Sequence, residues 1–315
     1  MTYEITDDDG SNLEALEINI IFVVLDLTGL IHDYSCISDR FAYTPYIGYY
    51  TGVFSIYNLK LSKSQNKQNL SMNFTKLDKL KAKLDNYRPL KSEIVQNLRE
   101  DLILRWTYNS NAIEGNTLTL NETKVVLEGI TVGGKSLREH FEAINHREAI
   151  YFVESLVQNG EPLTEYSIKS LHALILKNID DTNAGSYRNI NVLISGATHR
   201  PPSNIEVASK MEEFISWYQN EAQKLHPIER AARVHVDFVG IHPFSDGNGR
   251  TSRLLMNFEL MKSGFPPAIL KVDKRLVYYE FLDKAHTQGN YKSFMNLLCD
   301  IVEESFEPYW FALAI

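Results

Sequence analysis

The sequence predicts a mainly α-helical fold for residues 72–315. Apolar residues recur every three or four positions from Phe74 onward, which is the period of amphipathic helices. Hydrophobic residues make up 44% of the 315 residues, so the chain can bury a large core. The periodic segments are Leu77, Leu80 and Leu84; Leu98, Leu102, Ile103 and Trp106; Phe141, Ile144, Ala149, Phe152 and Leu156; residues 168–176; and residues 208–218.

Residues 1–71 differ in composition from the rest of the chain. Tyr, Ser, Asn, Thr and Gly are dense between residues 33 and 69, with β-forming residues interspersed, and residues 62–71 have the polar composition of a linker. Two interpretations stay open. The segment is a small accessory element of unknown role, with β structure as one possibility, or it is an upstream translation that precedes a biological start at Met72.

Charge and cysteine content exclude several classes of protein. The net charge of −8 argues against a nucleic-acid-binding surface, which needs a basic footprint. The most apolar run, residues 18–31, is shorter than the roughly 20 residues of a membrane span, and no basic segment of a signal peptide precedes it. Cys36 and Cys299 lie far apart without metal-ligand spacing. We therefore expect a cytoplasmic protein with reduced thiols and no membrane contact.

Residues 242–250, His-Pro-Phe-Ser-Asp-Gly-Asn-Gly-Arg, form the most informative segment. Its two glycines allow backbone N–H groups to approach an anion closely. Residues 248–262 predict a helix, so the segment would present that anion to a helix N-terminus. Arg250 and Arg253 share a helix face, and two fixed cations suit a polyphosphate. A glycine-rich turn beside one arginine is common, and it is the joint occurrence within twelve positions that favours function.

Residues 242–253 resemble the signature H-P-F-x-[D/E]-G-N-G-R-x-x-R of Fic-domain proteins and match it at every defined position. Most characterised members of that family transfer AMP from ATP to a hydroxyl side chain of a target protein. The residues that follow the signature are most similar to the metazoan endoplasmic-reticulum branch and its bacterial relatives. The resemblance covers roughly residues 90–305. It implies a Fic-type helical bundle with a β-hairpin flap.

The resemblance implies a role for each residue of the signature, with ATP as substrate and Mg²⁺ as cofactor. His242 would be the catalytic base, since an imidazole titrates near neutrality. Asp246 would hold Mg²⁺, which prefers few carboxylates together with phosphate oxygens. His286 stands where many relatives have an asparagine that helps to hold the nucleoside. The nucleotide-binding residues would be Gly247, Asn248, Gly249, Arg250, Arg253 and Tyr279.

A second motif lies N-terminal to the first. Ser110 and Glu114 are four residues apart, at the end of a predicted helix that a glycine would terminate. In isolation this is an ordinary helix end with an exposed glutamate. It also resembles the inhibitory motif [S/T]-x-x-x-E-[G/N] of regulated Fic proteins, whose glutamate pairs with the second signature arginine, here Arg253. Residues 72–135 would then carry the inhibitory motif, and residues 136–315 the catalytic core and the C-terminal helices.

The third element is residues 192–202, where β-forming residues precede turn residues and predict a hairpin. The family has a hairpin flap here that aligns a target segment by backbone pairing. His199 would be a positioning residue, and His235, seven residues before His242, a core or supporting histidine. The residues that position the target would be Leu193, Ile194, Thr198 and His199.

The resemblance implies a protein adenylyltransferase that is autoinhibited by Glu114, modifies a target protein and modifies itself. One alternative is an enzyme that removes AMP, alone or in addition, because in some relatives the inhibitory glutamate aligns a water. The other alternative is a non-catalytic module that binds ATP.

Relatives also form dimers through the segment after the inhibitory motif, where Leu137 matches a contact leucine. A buried core leucine is the alternative at that position.

Overall fold

The structure, a computed structural model, describes residues 74–315. The predictions for residues 1–71 lie outside the described residues. Within residues 74–315 the chain forms eleven α-helices and three short 3₁₀ helices, which confirms the mainly α fold. The α-helices are α1 (Thr75–Asp85), α2 (Ser92–Ile113), α3 (Leu120–Leu127), α4 (Leu137–Gln158), α5 (Glu165–Leu176), α6 (Val207–Asn220), α7 (Pro227–Ile241), α8 (Asn248–Lys262), α9 (Arg275–Gln288), α10 (Tyr291–Glu304) and α11 (Glu307–Leu313). The 3₁₀ helices are Asn204–Glu206, Ala222–Lys224 and Val272–Lys274.

Helix α8 is the most deeply buried of these helices, with nearly all residues from Asn248 to Leu260 removed from solvent. It packs against α7 and also contacts α2, α4 and α5. One apolar core joins α8 to α1, α7, α9 and α10, and a second joins it to α2, α4, α5, α6 and α7. Helix α8 therefore contributes to both cores, and the loop that precedes it adds Phe244 to the second. None of the helices in this described part combines the length and apolar character needed to cross a bilayer.

The ends of two helices agree with the sequence prediction. Helix α8 spans Asn248–Lys262, the predicted range, and Gly264 follows it with a φ of +83°. Helix α2 ends at Ile113, and Gly115 follows with a φ of +102°. Glycine adopts such angles without the steric cost of a Cβ, which is why it commonly ends helices.

The predicted hairpin at residues 192–202, called the flap below, differs from the observed structure. The flap reverses direction through a turn in which Ala197 N–H donates to Ile194 O at 3.2 Å, but no residue of the described range is in a β-strand. Instead, side chains bind backbone groups of the flap and of the residue Ile190 that lies before it. Arg188 donates to Ile190 O and Pro202 O, and Asp283 accepts from two flap N–H groups. The sequence of the flap gives no indication that its N–H groups bind Asp283.

Three fully or largely buried histidines surround α8. His146 on α4 and His235 on α7 are completely buried, and His235 pairs through Nε2 with the Tyr278 hydroxyl at 3.0 Å. His172 on α5 accepts from Gly185 N–H through Nδ1 at 2.9 Å, so its Nε2–H donates to Asp246 O. Burial lowers the pKa of His172 to about 4 and that of His235 to about 3, and it places the pKa of His146 well below its usual value. All three are therefore neutral at pH 7.

We expect the free energy of unfolding to fall between about pH 7.5 and about pH 5.5, because these histidines gain protons only when the chain unfolds. An unfolded histidine has a pKa of about 6.5, and each such group costs roughly 1.4 kcal/mol per pH unit below that value until its folded pKa is reached. Carboxyl groups of the unfolded chain stay ionised in this window, so they take up no protons on unfolding. Urea denaturation at the two pH values measures it. An unchanged midpoint would contradict the prediction, and His172→Gln should show a smaller difference than wild type.

Candidate active site

His242 caps the C-terminus of α7 in a left-handed conformation, with a φ of +51°. This conformation is uncommon for a residue with a Cβ and persists only where the surroundings fix it. Here His242 N–H donates to Phe238 O at 3.1 Å, and its carbonyl accepts from Arg188 Nε at 2.8 Å. The backbone thereby leaves the helical path at His242, where α7 ends.

The imidazole of His242 is neutral at pH 7. Burial and the neighbouring Arg188 guanidinium lower its pKa to about 4, although the bond to Val239 and the charge of Glu114 act in the opposite direction. Nδ1 lies 3.3 Å from Val239 O, which places the proton on Nδ1 and leaves Nε2 as an acceptor. A neutral imidazole with a free Nε2 lone pair can take a proton from a hydroxyl group.

The 242–250 loop is held by Phe244 and Asn248. Phe244 is fully buried and stacks on His172, with ring centroids 3.6 Å apart. The Asn248 amide accepts from Phe244 N–H at 2.9 Å and donates to Phe244 O at 2.8 Å. Asn248 is predicted to bind nucleotide, but the structure commits its side chain to bracing the loop. Its backbone N–H, in the first turn of α8, is also a donor for an anion.

The N-terminus of α8 presents backbone donors at the end of this loop. Gly247 is the N-cap, with a φ of +78°, and the first helical hydrogen bond runs from Thr251 N–H to Gly247 O. The N–H groups of the three preceding helical residues have no acceptor within the helix. Together with the positive end of the helix dipole they make an anion-binding position.

Arg250 adds a buried cation to this position. It is 2% exposed, and its Nη2 lies 3.3 Å from Asp246 Oδ1. Within residues 74–315, Nε and Nη1 lack a hydrogen-bond acceptor, and Nη1 lies 3.7 Å from Glu142 Oε1. A buried guanidinium with unused donors matches a phosphate oxygen, which would accept from them.

Asp246 is the carboxylate that the loop offers to a cation. Burial raises its pKa, but Arg250, Gly247 N–H and Arg138 lower it further, so that the pKa lies below its usual value and the group is ionised. Its Oδ2 pairs with Arg138 Nη2 at 2.5 Å. In the described part of the chain no three acidic, His or Cys side chains gather into a metal site. A single carboxylate suits Mg²⁺ when phosphate oxygens complete the coordination.

Glu114 and Arg253 form an ion pair across the site. Glu114 is the C-cap of α2, and its Oε1 accepts from Arg253 Nη2 at 2.7 Å. Arg253 also donates to Ser110 Oγ at 3.0 Å and to Ser110 O at 2.8 Å, which ties α8 to the last turn of α2. A Cβ at Gly249 would collide with Glu114 Oε1. The carboxylate of Glu114 therefore lies directly over the start of α8, where an anion is favoured.

The remaining predicted site residues lie on two sides of this ion pair. Tyr279 on α9 is partly exposed and donates from its hydroxyl to Ile113 O at 3.2 Å. In the flap, Leu193 is exposed, and His199 Nε2 lies 2.9 Å from Gly240 O, two residues before His242. His286 packs against the ring of His199 and lies 2.8 Å, through Nε2, from Val236 O. The structure thus brings the first two sequence motifs together at the start of α8 and holds the end of the flap two residues before His242 in the chain.

Sequence reasoning missed three residues that shape the site. Arg188 joins the flap to the loop through His242 O, His172 supports Phe244, and Asp283 binds the flap backbone. No spacing in the sequence connects any of the three with residues 242–250.

Comparison with known proteins gives one consistent family. The profile described as the Fic/DOC family matches residues 162–260. Protein adenylyltransferase Fic of Nematostella vectensis is 38% identical over 238 residues, which are 74% of this chain and 55% of the relative. The protein of the same name from Drosophila grimshawi is 38% identical over 69% of this chain and 45% of its own length. The chain thus spans about half the length of the curated relatives it matches.

Solved structures give the same result. Fic-1 from C. elegans, residues 134–508, superposes with a TM-score of 0.69 at 33% identity, over 76% of this chain and 72% of that one. A Fic domain containing signaling protein from Bacteroides thetaiotaomicron superposes with a TM-score of 0.69 at 32% identity, over 76% of this chain and 98% of that one.

Proposed function

The chain belongs to the Fic/DOC family, and from that premise we propose that it is a protein adenylyltransferase, which moves AMP from ATP to a Ser, Thr or Tyr hydroxyl of a target protein. Curated relatives of this name support the activity. One observation carries the proposal: a neutral imidazole, a buried arginine with unused donors and a helix N-terminus without a side-chain cap lie within residues 242–250.

In the proposed reaction, His242 Nε2 takes the proton from the target hydroxyl. The hydroxyl oxygen attacks the α-phosphorus of ATP, the bond from that phosphorus to the bridging oxygen breaks, and pyrophosphate leaves. The N–H groups at the start of α8 and the Arg250 guanidinium hold the phosphates and offset the charge that develops on them. Asp246 is the residue that would hold Mg²⁺, which supplies charge neutralisation to the phosphates when bound.

Glu114 regulates this reaction in our proposal. Arg253 is 2% exposed, and its donors face Glu114 and Ser110. A carboxylate on Arg253 uses the donors that a γ-phosphate needs and repels that phosphate. ATP would then bind with its α-phosphate out of line for attack. The partly exposed Glu114 carboxylate would also suit the alignment of a water that removes AMP from a modified target, which is the second candidate activity.

Labelling ATP at the α or the γ phosphate distinguishes an adenylyltransferase from a kinase and from a non-catalytic ATP-binding module. Glu114→Gly protein is incubated with lysate proteins and with ATP that carries ³²P at either the α or the γ position. We expect label on protein from the α position only, because pyrophosphate carries the γ-phosphate away. Label from the γ position would indicate a kinase. Nucleotide binding without any label on protein would indicate a non-catalytic ATP-binding module.

Leu137 is the residue on which we base a proposed dimer. It is the first residue of α4 and is 70% exposed, so the alternative of a core leucine is wrong. Leu137→Asp should weaken self-association by about a hundredfold or more, and it should leave the fold intact because an acidic residue is favoured in the first turn of a helix. Sedimentation at micromolar concentration measures this. Leu276→Asp, at an 82% exposed position in the first turn of α9, is the matched control. A wild-type chain that sediments as a monomer would contradict the dimer.

A further inference from the structure

The flap is anchored to helix α9 by one carboxylate. Asp283 Oδ1 accepts from Thr198 N–H at 2.8 Å and from His199 N–H at 2.8 Å. Two consecutive backbone N–H groups that converge on one charged oxygen fix both the position and the direction of the chain at that point. Because the flap has no strand pairing of its own, its position depends on contacts of this kind with the rest of the described structure.

A second contact fixes the same end of the flap against α7. His199 Nε2 lies 2.9 Å from Gly240 O, and the His199 ring packs on His286 with centroids 4.4 Å apart. A Cβ at Gly240 would come within 2.8 Å of His286 Nε2, so the close approach requires glycine. Gly240 is two residues before His242. The flap end is therefore tied both to α9 and to the backbone that carries the proposed base.

The other part of the flap is open. Among the described residues, none forms a hydrogen bond with the backbone of Val192 or Leu193, and the Leu193 side chain is 75% exposed. An extended target segment could pair with this edge through its own backbone. The distance of such a segment from His242 depends on where the flap is held.

We propose that Asp283 is a positioning residue that sets the flap relative to His242 and thereby aligns the target hydroxyl. This inference rests on the proposed function, because it assumes that a protein segment is the acceptor. Asp283 lies one helical turn after Tyr279, the proposed nucleoside contact, so one face of α9 would hold both the nucleotide and the acceptor. Loss of the carboxylate should impair use of the protein acceptor and leave ATP binding intact.

The charge state of Asp283 agrees with this role. Partial burial raises its pKa, but the N–H groups of His199 and Thr198 lower it further, so the pKa lies below its usual value. Asp283 is therefore ionised at neutral pH. Asp283→Asn keeps an oxygen acceptor without the charge, whereas Asp283→Ala removes both.

Amide hydrogen exchange tests the anchor without any acceptor protein. In Asp283→Ala we expect the amides of Thr198 and His199 to exchange at least about tenfold faster than in wild type, with Asp283→Asn in between. Glu280→Ala is the control, since Glu280 lies on the same helix and, among residues 74–315, its carboxylate pairs with Lys284 and not with the flap. Unchanged exchange in Asp283→Ala would overturn the proposal.

Label transfer tests the consequence. In the Glu114→Gly background, the rate of transfer from α-³²P-ATP is measured against increasing concentrations of lysate protein. We expect Asp283→Ala to raise the half-saturating lysate concentration at least about tenfold, with a smaller rise for Asp283→Asn and none for Glu280→Ala. The dissociation constant of a fluorescent ATP analogue should stay within about threefold of its starting value.

The outcomes are distinguishable. If Asp283→Ala exchanges the flap amides faster but transfers label as well as its parent, the positioning role is overturned. Equal losses of ATP binding and of label transfer in Asp283→Ala would also overturn it. If Glu114→Gly itself transfers no label, the proposed function fails. Hydrogen exchange then still decides whether Asp283 holds the flap.

Discussion

Glu114→Gly is expected to raise AMP transfer, including self-modification, by on the order of 10²-fold. The Glu114 carboxylate lies over Gly249 and pairs with Arg253 Nη2 at 2.7 Å, so its removal frees that guanidinium for a γ-phosphate. The fold should tolerate the change because glycine at this C-cap costs about 1 kcal/mol in backbone freedom, and Arg253 keeps its two hydrogen bonds to Ser110. A misplaced α-phosphate lowers the rate of AMP transfer far more than it lowers the affinity for ATP. The dissociation constant for ATP should therefore change much less than the rate.

Glu128→Gly is the matched control for this substitution. Glu128 is also a helix C-cap, at the end of α3, with a φ of −80° and a glycine directly after it. It should leave transfer unchanged. Arg253→Ala should not activate, because it breaks the inhibitory pair and also removes the donor for the γ-phosphate. Equal transfer by wild type and Glu114→Gly would contradict autoinhibition.

His242→Ala is expected to reduce transfer by roughly 10²- to 10⁴-fold, the range typical of a lost general base. The substitution removes only a loop side chain, but alanine tolerates the left-handed backbone of this position poorly. His242→Asn is therefore the second variant, since asparagine adopts that conformation more readily and has no basic nitrogen. Both should bind ATP and unfold within a few degrees of wild type. A variant of either kind that keeps most of the transfer rate would show that His242 is not the base.

Local sequence patterns predict the helices well and the flap poorly, for a physical reason. Helix α8 is bounded by glycines and carries a periodic apolar face, and both signals lie within the segment itself. The flap has the residue types of a hairpin. Its backbone groups are nevertheless bound by Arg188 and Asp283, and Asp283 lies more than eighty residues away in the chain. Only the tertiary fold brings such partners together.

In the candidate site, too, local sequence predicts some features, and others depend on the tertiary fold. A signature of twelve residues places His242, Asp246, Arg250 and Arg253 correctly in one loop and helix. It does not show that the Asn248 side chain braces Phe244, or that Leu137 is exposed. Those facts depend on which helix faces meet, and the residues of one segment do not determine them.

The most direct test of AMP transfer compares two proteins, Glu114→Gly and Glu114→Gly/His242→Ala, incubated with α-³²P-ATP and lysate proteins. We predict strong labelling of protein by the single variant and almost none by the double variant, with equal ATP binding by both. Equal labelling by the two proteins would contradict the assignment of His242, and the absence of labelling by the single variant would contradict adenylyl transfer itself.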